Sequence, residues 1–191
     1  MLCPRCSTVN PDQARYCSQC QAVLPRLPGS GLPSGVPLKE GVEYPEPTHH
    51  YETEQLVELH ELVEAVLDGE DAFEQLEEHL EQMAHNYQRF ETEHVRPMQE
   101  LLQRESHRLP EDDYNTQLSY VLKTGMAKFH EGKNMFRRFF ETESDSPEEL
   151  EAAFVEVGDG HDYICLGMEM AQQRLALLEE ILAQHPDRPV S

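Results

Sequence analysis

Tryptophan is absent, and phenylalanine and tyrosine together supply only 7% of the 191 residues; apolar residues of every kind reach 38%. A chain so poor in large apolar side chains does not suit a rounded α/β core. It suits elongated helices carrying a narrow apolar stripe. Basic side chains are scarce too, with 15 Lys and Arg against 37 Asp and Glu and a formal net charge of -22. Residues 1–47 hold four of each sign, so the remainder carries all of the imbalance. That field repels nucleic-acid phosphates and anionic lipid, and it favours basic partners. Long apolar runs are missing: Tyr163 to Met168 is the best, and it is far too short for a bilayer. No basic segment followed by an apolar run opens the chain, so it reads as cytoplasmic. Reaction motifs are missing as well. There is no Gly-x-Ser-x-Gly and no phosphate-cradling glycine loop, and carboxylate pairs on acidic helix faces are solvation, so no enzyme is expected.

What the chain does have stands in its first twenty residues. Cys3-Pro-Arg-Cys6, ten residues, then Cys17-Ser-Gln-Cys20 place four thiols as two C-x-x-C hooks. Two hooks separated by a foldable loop are what a tetrahedral, all-thiolate zinc site requires. A disulfide inside C-x-x-C is tight, and a redox C-x-x-C would normally sit in a βαβ context that is not found here. Four cysteine ligands leave no position for water or substrate, so one structural Zn2+ per chain is expected on Cys3, Cys6, Cys17 and Cys20.

Cys3, Pro4, Cys6, Asn10, Pro11, Ala14, Tyr16, Cys17 and Cys20 together resemble the short zinc-ribbon module found at the start of many bacterial proteins. The resemblance covers residues 1–24 and implies a zinc-held β-hairpin used as a contact module. Gly usually follows the second and fourth cysteines of that module, where this chain has Ser7 and Gln21. Gly there relieves a positive φ, so the two turns are expected to be strained or differently shaped.

Residues 25–47 follow as a Pro/Gly-rich stretch, read as a flexible linker on which the ribbon swings. Residues 48–186 then show helical periodicity. Helix A is expected over Thr48–Asp68, with Leu56, Leu59, Val63 and Val66 on one face and Gly69 ending it. Helix B begins near Asp71 as its cap and runs a heptad seam through Phe73, Leu76, Leu80, Met83, Tyr87, Phe90, His94 and Leu101, with Pro97 kinking it. Helix C follows Pro110 with Leu118, Leu122, Phe129, Phe136 and Phe139 on one side. Helix D opens on Ser146-Pro147-Glu148-Glu149, and Gly158 and Gly160 are expected to weaken or split it. The expected fold is therefore mainly α: an elongated, antiparallel, coiled-coil-like helical bundle behind a small zinc ribbon.

Side chains outside the ribbon offer little chemistry. His94 and His161 fall in the seams, and Glu91-x-x-His94 is half of a carboxylate-bridged metal motif, but the second half is missing. His130 projects away from the seam, towards water. Cys165 has no evident base beside it and reads as a small buried hydrophobe. Arg5 and Arg15 are the ribbon's only basic residues, and screening of a four-thiolate centre accounts for them. Five cations crowd sixteen positions of helix C: Lys123, Lys128, Lys133, Arg137 and Arg138. In so acidic a body this strip is expected to face an acidic protein partner or a second copy. The function expected is non-enzymatic protein–protein binding of adaptor or scaffold type, with neither nucleic acid nor membrane as partner. The alternative is a regulator that touches nucleic acid through the ribbon.

Overall fold

The computed structural model describes residues 1–26, 40–109, 112–142, 144 and 146–184, so the part of the linker over 27–39 lies outside the described residues. It is mainly helical. Among the described residues five α-helices follow in order: α1 (Glu54–Leu67), α2 (Phe73–Phe90), α3 (Arg96–Arg104), α4 (Tyr114–Glu141) and α5 (Pro147–Gln184). At 1.5 Å per residue, the 38 residues of α5 extend about 57 Å and form the spine of the bundle. The helices pack antiparallel. His79 of α2 meets the Gln55 carbonyl of α1, Tyr87 and Phe73 of α2 meet Phe129 and Phe139 of α4, and Thr53 and His60 approach His161 and Phe154. The main core runs through Leu56, Leu59, Leu80, Met83, Phe129, Phe136, Val157 and Ile164; a second cluster joins α3 to the far halves of α4 and α5.

Several sequence expectations change in detail. Helix α1 starts at Glu54 rather than Thr48, because Thr53, itself extended, caps it by accepting from the Leu56 N–H. Gly69 does end the helix, with φ +82°. Ala72, not Asp71, is the N-cap of α2, and no side chain caps it. Ser146 does cap α5, accepting from the Glu149 N–H at 3.4 Å, while its hydroxyl bonds Glu148.

Pro97 does not break helix B at its own position. A π-helical turn over Glu91–Val95 comes first, and Pro97, which has no N–H to give, then sits in the first turn of α3. The wide turn moves the seam by one residue. His94 is exposed, Val95 takes the buried place, and Met98 and Leu102 follow it.

Gly158 and Gly160 do not split α5, which is continuous. Gly160 is where α4 and α5 touch backbone to backbone. A Cβ added there would lie 2.5 Å from the Phe129 nitrogen and 2.7 Å from the Gly125 carbonyl. Gly132 of α4 meets Val157 and Ala153 just as closely. The middle of α5, residues 157–164, is buried on every side. One flank lies on α4 and another on α1 and α2. Residues 15–26 and 40–51 cover the third.

Candidate metal centre and the ion cluster beside it

Each C-x-x-C hook folds onto itself, and the second repeats the first fourteen residues later. The Cys3 N–H bonds Thr8 and the Ser7 N–H bonds Cys3, as the Cys17 N–H bonds Ala22 and the Gln21 N–H bonds Cys17. The bridges Leu2–Val9 and Tyr16–Val23 complete the correspondence. Among the described residues these isolated bridges stand in place of the expected β-hairpin, and no strand forms. Ser7 and Gln21 occupy equivalent positions with φ of 61° and 53°, the left-handed geometry for which glycine is favoured.

The two hooks bring their sulfurs together. Cys3 Sγ lies 3.7 Å from Cys20 Sγ and Cys6 Sγ 3.4 Å from Cys17 Sγ, and all four lie within 4.8 Å of one another. Bonds of ~2.3 Å to a tetrahedral metal ion imply sulfur–sulfur edges of ~3.8 Å, so the donor set fits a metal ion. All five cysteines are free thiols, and no disulfide competes for the site. Donors point at the sulfurs: the Arg5 N–H at Cys3 and the Asn10 amide at Cys17. Burial opposes ionisation of Cys17, but backbone N–H groups of Gln19 and Cys20 outweigh it and hold that thiol down to about 6. This is the only such cluster of potential ligands among the described residues, and the exposed His94 and His130 belong to none.

Arg15 does not screen the cysteines. Its guanidinium points away from the cysteine hooks and forks onto Asp162 in the middle of α5, Nη2 to Oδ1 at 2.7 Å and Nη1 to Oδ2 at 2.8 Å. The side chains of this pair are 2% and 0% exposed. Asp162 also accepts from Arg26 (2.9 Å), His50 Nδ1 (2.8 Å) and the Tyr51 N–H (2.8 Å), five contacts in all. Burial would raise this carboxyl; the His50 and Arg15 hydrogen bonds and the Arg15 charge overcome it and hold the group at about 2. Arg26 continues to Asp159 at 2.6 Å, and Lys128 closes the chain on Asp159 and Glu156 at 3.3 and 3.1 Å. Three cations and three carboxylates thus neutralise one another inside the protein. Around them Tyr16 stacks on His60 with centroids 4.0 Å apart, and Gly158 leaves the room that Arg15 fills. Arg15, Tyr16 and Arg26 therefore bring this segment against α1 and α5.

The basic strip of α4 is correspondingly reduced. Lys128 is buried in the ion cluster and unavailable to a partner. Lys133 pairs with Glu81 of α2 at 2.6 Å, and Arg138 with Glu131 at 2.9 Å; Arg137 and Lys123 are exposed.

His161 is buried as its place in the seam implies, and it is fully bonded. The Tyr87 hydroxyl bonds Nδ1, and Nε2 faces Thr53 Oγ1 at 3.1 Å and Cys165 Sγ at 3.4 Å. Cys165 thus has an imidazole beside it, one helical turn earlier, contrary to the sequence reading. Burial raises the thiol to about 12 and lowers the imidazole to about 4, which favours the neutral form of each.

No helix among the described residues is long and apolar enough to cross a membrane. Comparison with protein-family models, with curated proteins and with solved structures finds no match to this chain.

Proposed function

We propose that this chain is a non-enzymatic protein-binding module of adaptor or scaffold type, in which Cys3, Cys6, Cys17 and Cys20 hold one structural Zn2+ in a zinc ribbon. Four thiolates satisfy zinc without leaving a coordination site for substrate. The observation that carries the reading is the asymmetry of the two hooks. The second packs its bridge residue Tyr16 on His60 of α1, whereas the first presents both residues of its bridge, Leu2 and Val9, to solvent at 65% and 76% exposure. An apolar pair held side by side on a metal-stiffened turn is an anchor for a protein partner. The ribbon's chemistry also argues against nucleic acid: Arg15 and Arg26 are spent on Asp162 and Asp159, which leaves Arg5 as its exposed cation. Lys123, Lys133, Arg137 and Arg138 remain as a second, weaker contact to an acidic partner or a second copy.

The test is quantitative co-purification from the protein's own cells with Leu2→Ser and Val9→Ser combined. The double variant is expected to keep its metal and its helicity and to lose its partner. An unchanged partner set would refute the reading, and salt-dependent DNA or RNA binding by the intact chain would replace it with the nucleic-acid alternative.

A further inference from the structure

The metal centre and the ion cluster are two residues apart: Arg15 precedes the ligand Cys17. The backbone that aims Arg15 is set by the second hook, since the Leu24 N–H bonds the Arg15 carbonyl and the Cys17 N–H bonds Ala22. A small loop-rich segment of this kind folds only when its ligands are drawn together, because the metal's binding energy is its folding energy. The seat it occupies, by contrast, belongs to the bundle. Arg15 enters over Gly158, reaches the Tyr51 carbonyl at 2.8 Å and takes two of the five contacts on a carboxylate with no solvent exposure. Tyr16 covers His60 and Phe154 beside it.

We propose that metal occupancy of the four cysteines is relayed through Arg15 to the centre of α5. The ribbon is then a metal-controlled latch, and the face carrying His60, Phe154, Gly158, Asp159 and Asp162 is covered only while metal is bound. The inference rests on the metal reading above and adds regulation to it. Loss of metal unfolds the hooks, withdraws the fork from Asp162 and leaves a buried carboxylate short of donors. The bundle around it must then open to water.

Hydrogen–deuterium exchange on the intact chain tests this, comparing metal-loaded protein, chelator-treated protein and Arg15→Met, with metal content measured in each sample. Chelation is expected to speed exchange tenfold or more in peptides covering 50–53 and 154–163. Arg15→Met is expected to do the same while keeping its metal, and added zinc to restore protection in the wild type but not in the variant. Arg15→Lys keeps the charge without the fork and provides a second reading if the methionine variant folds poorly; faster exchange than wild type is expected there too. If chelation releases metal and speeds exchange only within 1–24, the latch is refuted and the metal site stands. If neither the purified protein nor its zinc-treated form binds metal, the latch and the metal reading fall together.

Discussion

Replacing Arg15 with methionine keeps the apolar stem of the side chain and removes its fork from Asp162. The ligand set around that carboxylate holds its pKa at about 2, some two units below the ordinary carboxylate value. At 1.36 kcal/mol per unit, that depression corresponds to about 2.5 kcal/mol of stability at pH 7. Breaking a buried pair by removing one partner generally costs about 3–5 kcal/mol. Arg26, His50 and the Tyr51 N–H remain on Asp162 in the variant, so the loss falls at or just below the bottom of that range, about 2–3 kcal/mol. In a chain of this size that is a fall in Tm of roughly 5–10 °C. The assay is urea unfolding followed by far-ultraviolet circular dichroism in saturating zinc, with Asp162→Asn and the double variant completing a cycle. The double variant is expected to be about 2 kcal/mol more stable than the sum of the two single losses implies. An Arg15→Met loss below about 0.5 kcal/mol, or an additive cycle, would show that the fork holds nothing together.

His161 gives a pH dependence of known sign. Its folded pKa is depressed to about 4 by burial, so the unfolded chain binds the proton first. The neutral imidazole therefore contributes up to about 3 kcal/mol above pH 6.5, lost as the pH falls towards 4. The difference in stability between wild type and His161→Gln should shrink over that window, and a constant difference would refute it; taking the difference cancels the pH response of the cysteines. Gly160→Ala should force α4 and α5 apart and cost about 1–3 kcal/mol or more by thermal denaturation, since its Cβ would meet backbone rather than a movable side chain. A Tm within a degree of wild type would mean that the helices part freely. Ser7→Gly and Gln21→Gly should each relieve a positive φ and tighten zinc about threefold in competition with a chromophoric chelator, and weaker binding would show that both turns are unstrained.

The helices and the cysteine cluster were legible because each depends on local spacing: periodic apolar residues, a serine before proline and two glutamates, two C-x-x-C hooks. The ion cluster was not legible, because Arg15 and Asp162 lie 147 residues apart and nothing local to either names the other. One signal was available. Gly158-Asp159-Gly160-His161-Asp162 sets three polar residues and two of the smallest side chains in mid-helix, which points to close packing and a buried network rather than to a weak point. His94 was misplaced for a different reason: a heptad count carried through a π-turn arrives one residue early.

That turn makes the bundle tolerant of a change in length at one place. Upstream of Glu91 and downstream of Val95 the chain follows two apolar stripes that are each regular but out of phase, and the extra residue of the wide turn is what brings both onto the same neighbours. A single-residue deletion between 91 and 94 would restore plain α-helix and leave the two stripes in phase, because Val95, Met98 and Leu102 would then follow Tyr87 at regular α-helical spacing. Met98 and Leu102 would keep their buried places, and Gln99 and Gln103 would stay towards water. Most one-residue deletions inside a helix throw everything after them out of phase, whereas this one would remove only the wide turn.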